Sequence, residues 1–293
     1  MSQQVGLVGL GSIGQPLAVN MLGKGLDVHG YRRSSMADFE KVGGKPSASP
    51  KAIAEQCDII AMVLPGEHET EEVLFGAQGI LAAGRKGLVI IDLSTYPLAD
   101  KEAFAKRVTD AGSSMIDAPL SGVPSMVSAR NGIIFASGDK EAFEKSKHVF
   151  DAMSDKAFYL GKFGDGIKMK FIANTLVSIH ILAAAEALAL GVKAGLDRDT
   201  MVKVLSPSAA TSLQFQVRAP LMMKKQYEPV MAATSVLSKD VPTFVEFAKA
   251  MDASTPLLEV AEQFYTRALG TEWESKDVAS IIELYAQDNK ITI

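Results

Sequence analysis

Residues 5–14 read Val-Gly-Leu-Val-Gly-Leu-Gly-Ser-Ile-Gly, an apolar run that passes directly into Gly9-x-Gly11-x-x-Gly14. The stretch Gln15 to Leu22 that follows has the composition of a helix. Strand, glycine triplet and helix in this order constrain the fold because each glycine meets a separate steric demand. Gly9 permits a tight turn, Gly11 lets a phosphate approach the backbone, and Gly14 lets helix and strand pack closely. The helix then offers unpaired N–H groups and its positive dipole end to an anion. An ordinary glycine-rich turn shares this composition. A second strand candidate ending at Tyr31 places the triplet in a strand–helix–strand unit and predicts a dinucleotide site at Gly9, Gly11, Ser12, Ile13 and Gly14.

The rest of the first half alternates short apolar runs with amphipathic stretches. Strand candidates are 4–10, 27–31, 58–64, 87–93, 114–118, 133–137 and 157–160. Such alternation predicts a parallel, doubly wound α/β sheet of the Rossmann type. Ligands in such sheets bind beyond the carboxyl ends of the strands. From about Gly166 the pattern changes to helices alone: 167–194 as one long central helix, then 197–205, 213–223, 235–251, 255–269 and 278–287. We therefore expect a dinucleotide-binding domain at 1–164 and an all-α domain at 165–293.

Composition narrows the partners. A length of 293 residues suits two domains, and a net charge of −4 gives no electrostatic reason to expect nucleic acid or a membrane surface. The apolar 167–192 stretch carries Lys168, Lys170, Asn174, His180 and Glu186, which favours a buried helix over a membrane span. The one cysteine, Cys57, excludes an intrachain disulfide and reads as packing. The four histidines have no metal-ligand spacing. No signal peptide is expected, since the N-terminus enters a strand at once, and a cytoplasmic setting fits.

The end of the second strand bears on the cofactor. An acidic residue about 20 residues into the motif usually holds the ribose 2′-hydroxyl of NAD. Here the chain reads Tyr31-Arg32-Arg33-Ser34, and Asp27 lies at the wrong end of the strand. Two arginines and a serine suit a 2′-phosphate, so NADP(H) is preferred over NAD(H), with Arg32, Arg33 and Ser34 as its ligands. Two solvated basic residues would look the same.

Further along, Lys170 and Asn174 share a helix face. A helical lysine is ordinarily solvated, but Ile167, Met169, Phe171, Ile172 and Ala173 surround this one with apolar positions. A lysine so placed can pass a proton to or from a carbonyl oxygen. Ser121 and Gly122 follow a strand candidate, and their hydroxyl and N–H groups can hold a carboxylate or simply make a turn.

Four segments at matching spacings then make the chain resemble the β-hydroxyacid dehydrogenases. They are Gly9-Leu10-Gly11-Ser12-Ile13-Gly14, Asp117-Ala118-Pro119-Leu120-Ser121-Gly122, Gly161-x-x-Gly164-x-Gly166-x-x-x-Lys170-x-x-x-Asn174, and Lys239-Asp240. The resemblance implies hydride transfer between a nicotinamide and a small carboxylate substrate, a 3-hydroxy acid or its semialdehyde. It makes Lys170 the general acid/base and Asn174 a positioning group. It puts Ser121, Gly122 and Val123 at the substrate, and Leu64 and Pro65 by the adenosine ribose. Thr95 falls near the nicotinamide, and Lys239 is a positive charge facing the substrate and cofactor. A homodimer or homotetramer is also implied.

Three positions depart from the family pattern. Val123 replaces a common second glycine, Ala173 replaces one of two asparagines, and Ala232 replaces a common phenylalanine. Together they predict a substrate longer or less polar than three-carbon semialdehydes. Two alternatives stand beside this reading. An imine reductase of the same architecture usually has Asp or Tyr at the lysine position. A catalytically silent dinucleotide-binding module would more typically lose the lysine.

Overall fold

The computed structural model describes residues 3–293, which fall into a first compact unit up to Lys170 and a second, Phe171–Ile293. In the first unit the strands are β1 (Gln4–Val8), β2 (Asp27–Tyr31), β3 (Lys45–Pro46), β4 (Ile59–Met62), β5 (Val89–Asp92), β6 (Ser114–Asp117), β7 (Leu120–Ser121), β8 (Ile133–Gly138) and β9 (Lys156–Tyr159). The helices between them are α1 (Gly14–Gly23), α2 (Ala37–Lys41), α3 (Pro50–Gln56), α4 (Glu67–Phe75), α5 (Leu98–Asp110), α6 (Pro124–Ser128) and α7 (Lys140–Met153). The sheet order is β3-β2-β1-β4-β5-β6-β8-β7, with β9 paired to β8. The topology switches at β1, which pairs in parallel with both β2 and β4, so the glycine loop after β1 lies at the crevice such sheets use for ligands.

Alternation in the strands builds two cores. In β4, Ile59 and Ala61 face one hydrophobic cluster while Ile60 and Met62 face the other. Both faces of the sheet are thus covered, as continuous apolar runs in a parallel sheet require. Caps fix several helix starts: Ser49 Oγ accepts from Ala52 N at 3.1 Å, and Asp139 Oδ1 from Ala142 N at 2.7 Å.

The sheet is not wholly parallel. β8 runs antiparallel to both β6 and β7. Between Ser121 and Ile133 the chain has room only for the five-residue α6, too little for a full helical crossover, so it doubles back.

The long helix α8 (Asp165–Lys193) crosses the division between the units. The second unit continues with α9 (Arg198–Leu205), α10 (Leu213–Lys224), α11 (Thr234–Ala250), α12 (Pro256–Ala268), a 3-10 turn at Val278–Ile281 and α13 (Ile282–Asn289). By length and composition α8 could cross a membrane. Here one side of its second-unit part packs in protein: the Phe171 ring meets those of Phe244 and Phe247 of α11 at tilted angles, and Ser178 O accepts from Tyr265 Oη of α12 at 3.2 Å. A buried pair, Arg218 to Asp277 at 2.6 Å, ties α10 to the segment before α13.

Candidate active site

The glycine loop shows why each glycine is there. Gly9 has φ +93°, and a Cβ on it would sit 2.1 Å from the Val63 carbonyl oxygen. A Cβ on Gly14 would sit 1.8 Å from the Gly9 carbonyl oxygen. A Cβ on Gly11 would meet nothing within 4 Å. The first and third glycines therefore allow backbone to pack on backbone, and the second leaves open space for a ligand. No described side chain caps α1, and its first turn holds no acidic residue, so its positive end is not neutralised locally.

A cavity of about 840 Å³ opens over this loop. It brings together Gly9, Gly11, Ser12, Ile13, Gly14, Arg32, Arg33, Ser34, Leu64 and Pro65, every cofactor position expected from the sequence except Thr95 and Lys239. Glu69 and Glu72 of α4, which the sequence gave no reason to include, also line it. Open space at Gly11, an uncapped helix start and a basic β2 end fit the pyrophosphate and ribose of a nicotinamide dinucleotide. Arg33 and Ser34 are exposed. The Arg32 guanidinium is turned to protein acceptors: Leu10 O at 2.8 Å, Ser35 O at 2.6 Å and Asp38 Oδ2 at 3.1 Å.

Beyond this cavity, the carboxyl ends of β5 and β6 carry a charged cluster that sequence reasoning missed. Asp92 and Asp117 are register partners on adjacent strands, both fully buried. Lys101 of α5, equally buried, lies 2.8 Å from Asp92 and 2.9 Å from Asp117. Burial alone would lower the Lys101 ammonium, but the two carboxylates outweigh it and hold the group above the ordinary lysine range. Asp92 also accepts from Tyr96 Oη at 2.7 Å and Ser94 N at 3.0 Å. Burial first, then the Asp92 charge, pushes the Tyr96 phenol far up, so it stays a donor.

This cluster fixes the candidate catalytic segments of the first unit. Ser94 Oγ accepts from Leu64 N at 2.9 Å, joining the loop after β4 to the loop bearing the half-buried Thr95. Asp117 Oδ2 accepts from Ile167 N at 2.7 Å, and Ser137 Oγ accepts from Gly166 N at 2.9 Å, so two side chains hold the first turn of α8. A Cβ on Gly166 would sit 2.2 Å from Phe135 O, which is why the helix can start so close to β8. Lys170 follows one turn later, 8% exposed, and Asn174 one further turn on, 9% exposed. Ser121, Gly122 and Val123 are half-buried where β7 gives way to α6, with Gly122 at φ +155°. In the second unit, Lys239 is exposed on α11. Ala232 is half-buried before that helix, its N–H donating to Asp277 Oδ2 at 3.3 Å.

A signal for the buried cluster was available. Two apolar strands each end in aspartate, at Asp92 and Asp117. Parallel neighbours in a sheet would set those charges side by side, which demands a cation.

Known proteins match the chain along most of its length. Residues 4–161 match the NAD binding domain of 6-phosphogluconate dehydrogenase, and residues 164–285 match the NAD-binding domain of NADP-dependent 3-hydroxyisobutyrate dehydrogenase. The L-threonate dehydrogenase of Cupriavidus necator is 33% identical over 288 residues, covering 97% of both chains. The 2-hydroxy-3-oxopropionate reductase of Escherichia coli is 28% identical, covering 96% of both. The crystal structure of 3-hydroxyisobutyrate dehydrogenase from Salmonella typhimurium superposes with a TM-score of 0.87 at 28% identity, covering 97% of this chain and 100% of that one. These relatives are dehydrogenases and reductases of hydroxy acids, and with them this chain is an NAD(P)-dependent oxidoreductase acting on CH–OH groups. The chain belongs to the β-hydroxyacid dehydrogenase family and is a hydroxyacid dehydrogenase.

Proposed function

We propose that the chain interconverts a hydroxy acid and its keto or semialdehyde form with NADP(H), with Lys170 as general acid/base. The burial of Lys170, one turn beyond a helix start held by Asp117 and Ser137, carries this reading. A buried side chain on an anchored turn has few poses and a low-dielectric setting, which suits directed proton transfer.

When bound, the nicotinamide accepts or returns the hydride. Open space at Gly11 and the α1 N-terminus receive the pyrophosphate. Lys170 takes the hydroxyl proton as the carbonyl forms, or returns it to the oxygen in reduction, and Asn174 orients the lysine or the substrate. Ser121 and Gly122 hold the substrate carboxylate. The NADP(H) preference is supported by a β2 end where Arg33 and Ser34 line the cavity and the Asp38 carboxylate that follows is engaged by Arg32. Lys170→Met should lower kcat by about 10²–10⁴-fold while the NADPH dissociation constant stays unchanged. Turnover near that of the natural chain would remove Lys170 from the mechanism.

The small Ala232 supports a substrate longer than a three-carbon semialdehyde, and the name L-threonate dehydrogenase, carried by the Cupriavidus relative, denotes activity on a four-carbon acid. We also infer a homodimer or homotetramer. Ile172, Leu176 and Leu190 lie on one side of α8 and are 56%, 52% and 67% exposed, an apolar stripe that association would cover. Light scattering of the purified chain, with Leu176→Glu as the disruptive variant, tests this. A cytoplasmic setting is part of the same reading, supported by the single buried thiol.

A further inference from the structure

We propose that Arg32 is not a ligand of the cofactor's 2′-phosphate but a clamp that ties the ribose loop to the pyrophosphate loop, leaving recognition of the phosphate to Arg33. This rests on the NADP(H) reading above and divides its labour between two adjacent arginines.

A guanidinium has five N–H donors and no acceptor. In this structure all five are engaged. Nε donates to Ser35 O at 2.6 Å. Nη1 donates to Leu10 O at 2.8 Å and to Asp38 Oδ2 at 3.1 Å. Nη2 donates to Ser35 O and to Asp38 Oδ1. No donor remains for a phosphate, and the positive charge is matched by Asp38. The bidentate carboxylate pair also fixes the plane of the guanidinium, so it cannot turn to a ligand without giving up several bonds together.

The acceptors show what the clamp holds. Leu10 lies between Gly9 and Gly11, so its carbonyl belongs to the loop that would receive the pyrophosphate. Ser35 and Asp38 belong to the segment that runs from β2 into α2. The Arg32 side chain thereby adds a second tie, beside the Gly9 N–H to Tyr31 O bond at 3.0 Å, between the two loops that bound the cavity. Arg33 is exposed and lines the same cavity beside Ser34. With the Asp38 charge spent on Arg32, the Arg33 charge is the one left to attract a dianion.

The experiment measures dissociation constants of NADPH and NADH by titration calorimetry, and amide hydrogen exchange of residues 9–14 and 32–38 without cofactor. Arg32→Ala alone would expose the Asp38 carboxylate and add repulsion, so the informative variants are Arg32→Ala/Asp38→Ala and Arg32→Lys. A clamp predicts that both variants weaken NADPH and NADH alike, by roughly tenfold, with faster exchange at residues 9–14. An ammonium cannot span these acceptors, so Arg32→Lys should not rescue. Arg33→Ala should instead weaken NADPH at least tenfold, leave NADH unchanged and leave exchange untouched.

Selective loss of NADPH in the double variant, with NADPH affinity retained in Arg32→Lys, would make Arg32 the phosphate ligand and overturn the proposal. Unchanged affinities and exchange in both would overturn it as well. A natural chain that prefers NADH would refute the NADP(H) reading alone; the clamp would still require equal losses for the two cofactors.

Discussion

Lys101→Met tests the buried cluster at the ends of β5 and β6. Methionine fills similar volume without the charge, so packing changes little and the ion pairs are lost. Lys101, Asp92 and Asp117 are each fully buried, and Lys101 Nζ is within 2.9 Å of both carboxylates. Removing one partner of a buried pair typically costs about 3–5 kcal/mol, because the remaining charge has no solvent to turn to. For a unit of this size each kcal/mol moves Tm by about 2–4 °C, so Tm should fall by roughly 6–20 °C. Calorimetric unfolding at neutral pH measures it. The double variant Lys101→Met/Asp92→Asn removes one of the two stranded carboxylates and should recover about half of the loss. Asp117 keeps its bonds from Ile167 N and Ser137 Oγ. The sign with pH is also fixed. The Lys101 ammonium is held above its ordinary value of 10.5, so its stabilisation is whole below that pH and disappears only as pH rises beyond it. A Tm change under about 2 °C in the single variant, or no recovery in the double, would refute the reasoning.

Other perturbations follow from local geometry. Gly14→Ala forces a Cβ against the Gly9 carbonyl oxygen and should destabilise by about 1–3 kcal/mol. Gly11→Ala should leave Tm nearly unchanged and weaken cofactor binding measured by calorimetry, because its Cβ enters open space. Burial, and secondarily the Asp27 and Asp58 charges, push the Cys57 thiol up to about 12. At pH 8 its thiolate fraction should be on the order of 10³ below that of a free cysteine, and thiol-reagent labelling should stay slow until denaturant unfolds the chain. Ala232→Phe should shift kcat/KM toward shorter hydroxy acids; a panel showing no shift would detach position 232 from substrate selection.

The parts of the fold legible in the sequence are those set by local sterics and periodicity. Gly9-x-Gly11-x-x-Gly14 marked a turn in which Gly9 and Gly14 pack backbone against backbone, a demand that no side chain satisfies, while Gly11 keeps open space. Asp197 and Ser212 cap α9 and α10, and Gly195 closes the chain after α8 at φ +80°, each near the expected helix boundary. The two-residue strands β3 and β7 left no periodic signal, since two residues cannot show one. The antiparallel entry of β8 depended on the length of the connection from Ser121, while the apolar run 133–137 reads the same in either direction.

What stayed hidden was the destination of charged side chains. Asp100-Lys101-Glu102 reads as a solvated helix start, and Lys101 differs from its neighbours only through which strand ends lie beneath it. Arg32 and Arg33 are likewise identical in sequence terms and differently engaged in the fold. One points to Leu10, Ser35 and Asp38; the other is exposed at the cavity. In both cases the deciding partner is a backbone carbonyl or a carboxylate that the fold brings up from elsewhere. A pair of aspartates ending neighbouring parallel strands is the one case where topology alone exposes the need, because two buried like charges in register require a cation. Once the strand order is predicted, a search for the nearest lysine or arginine in the following helix would find Lys101, and with it the support beneath the first turn of α8.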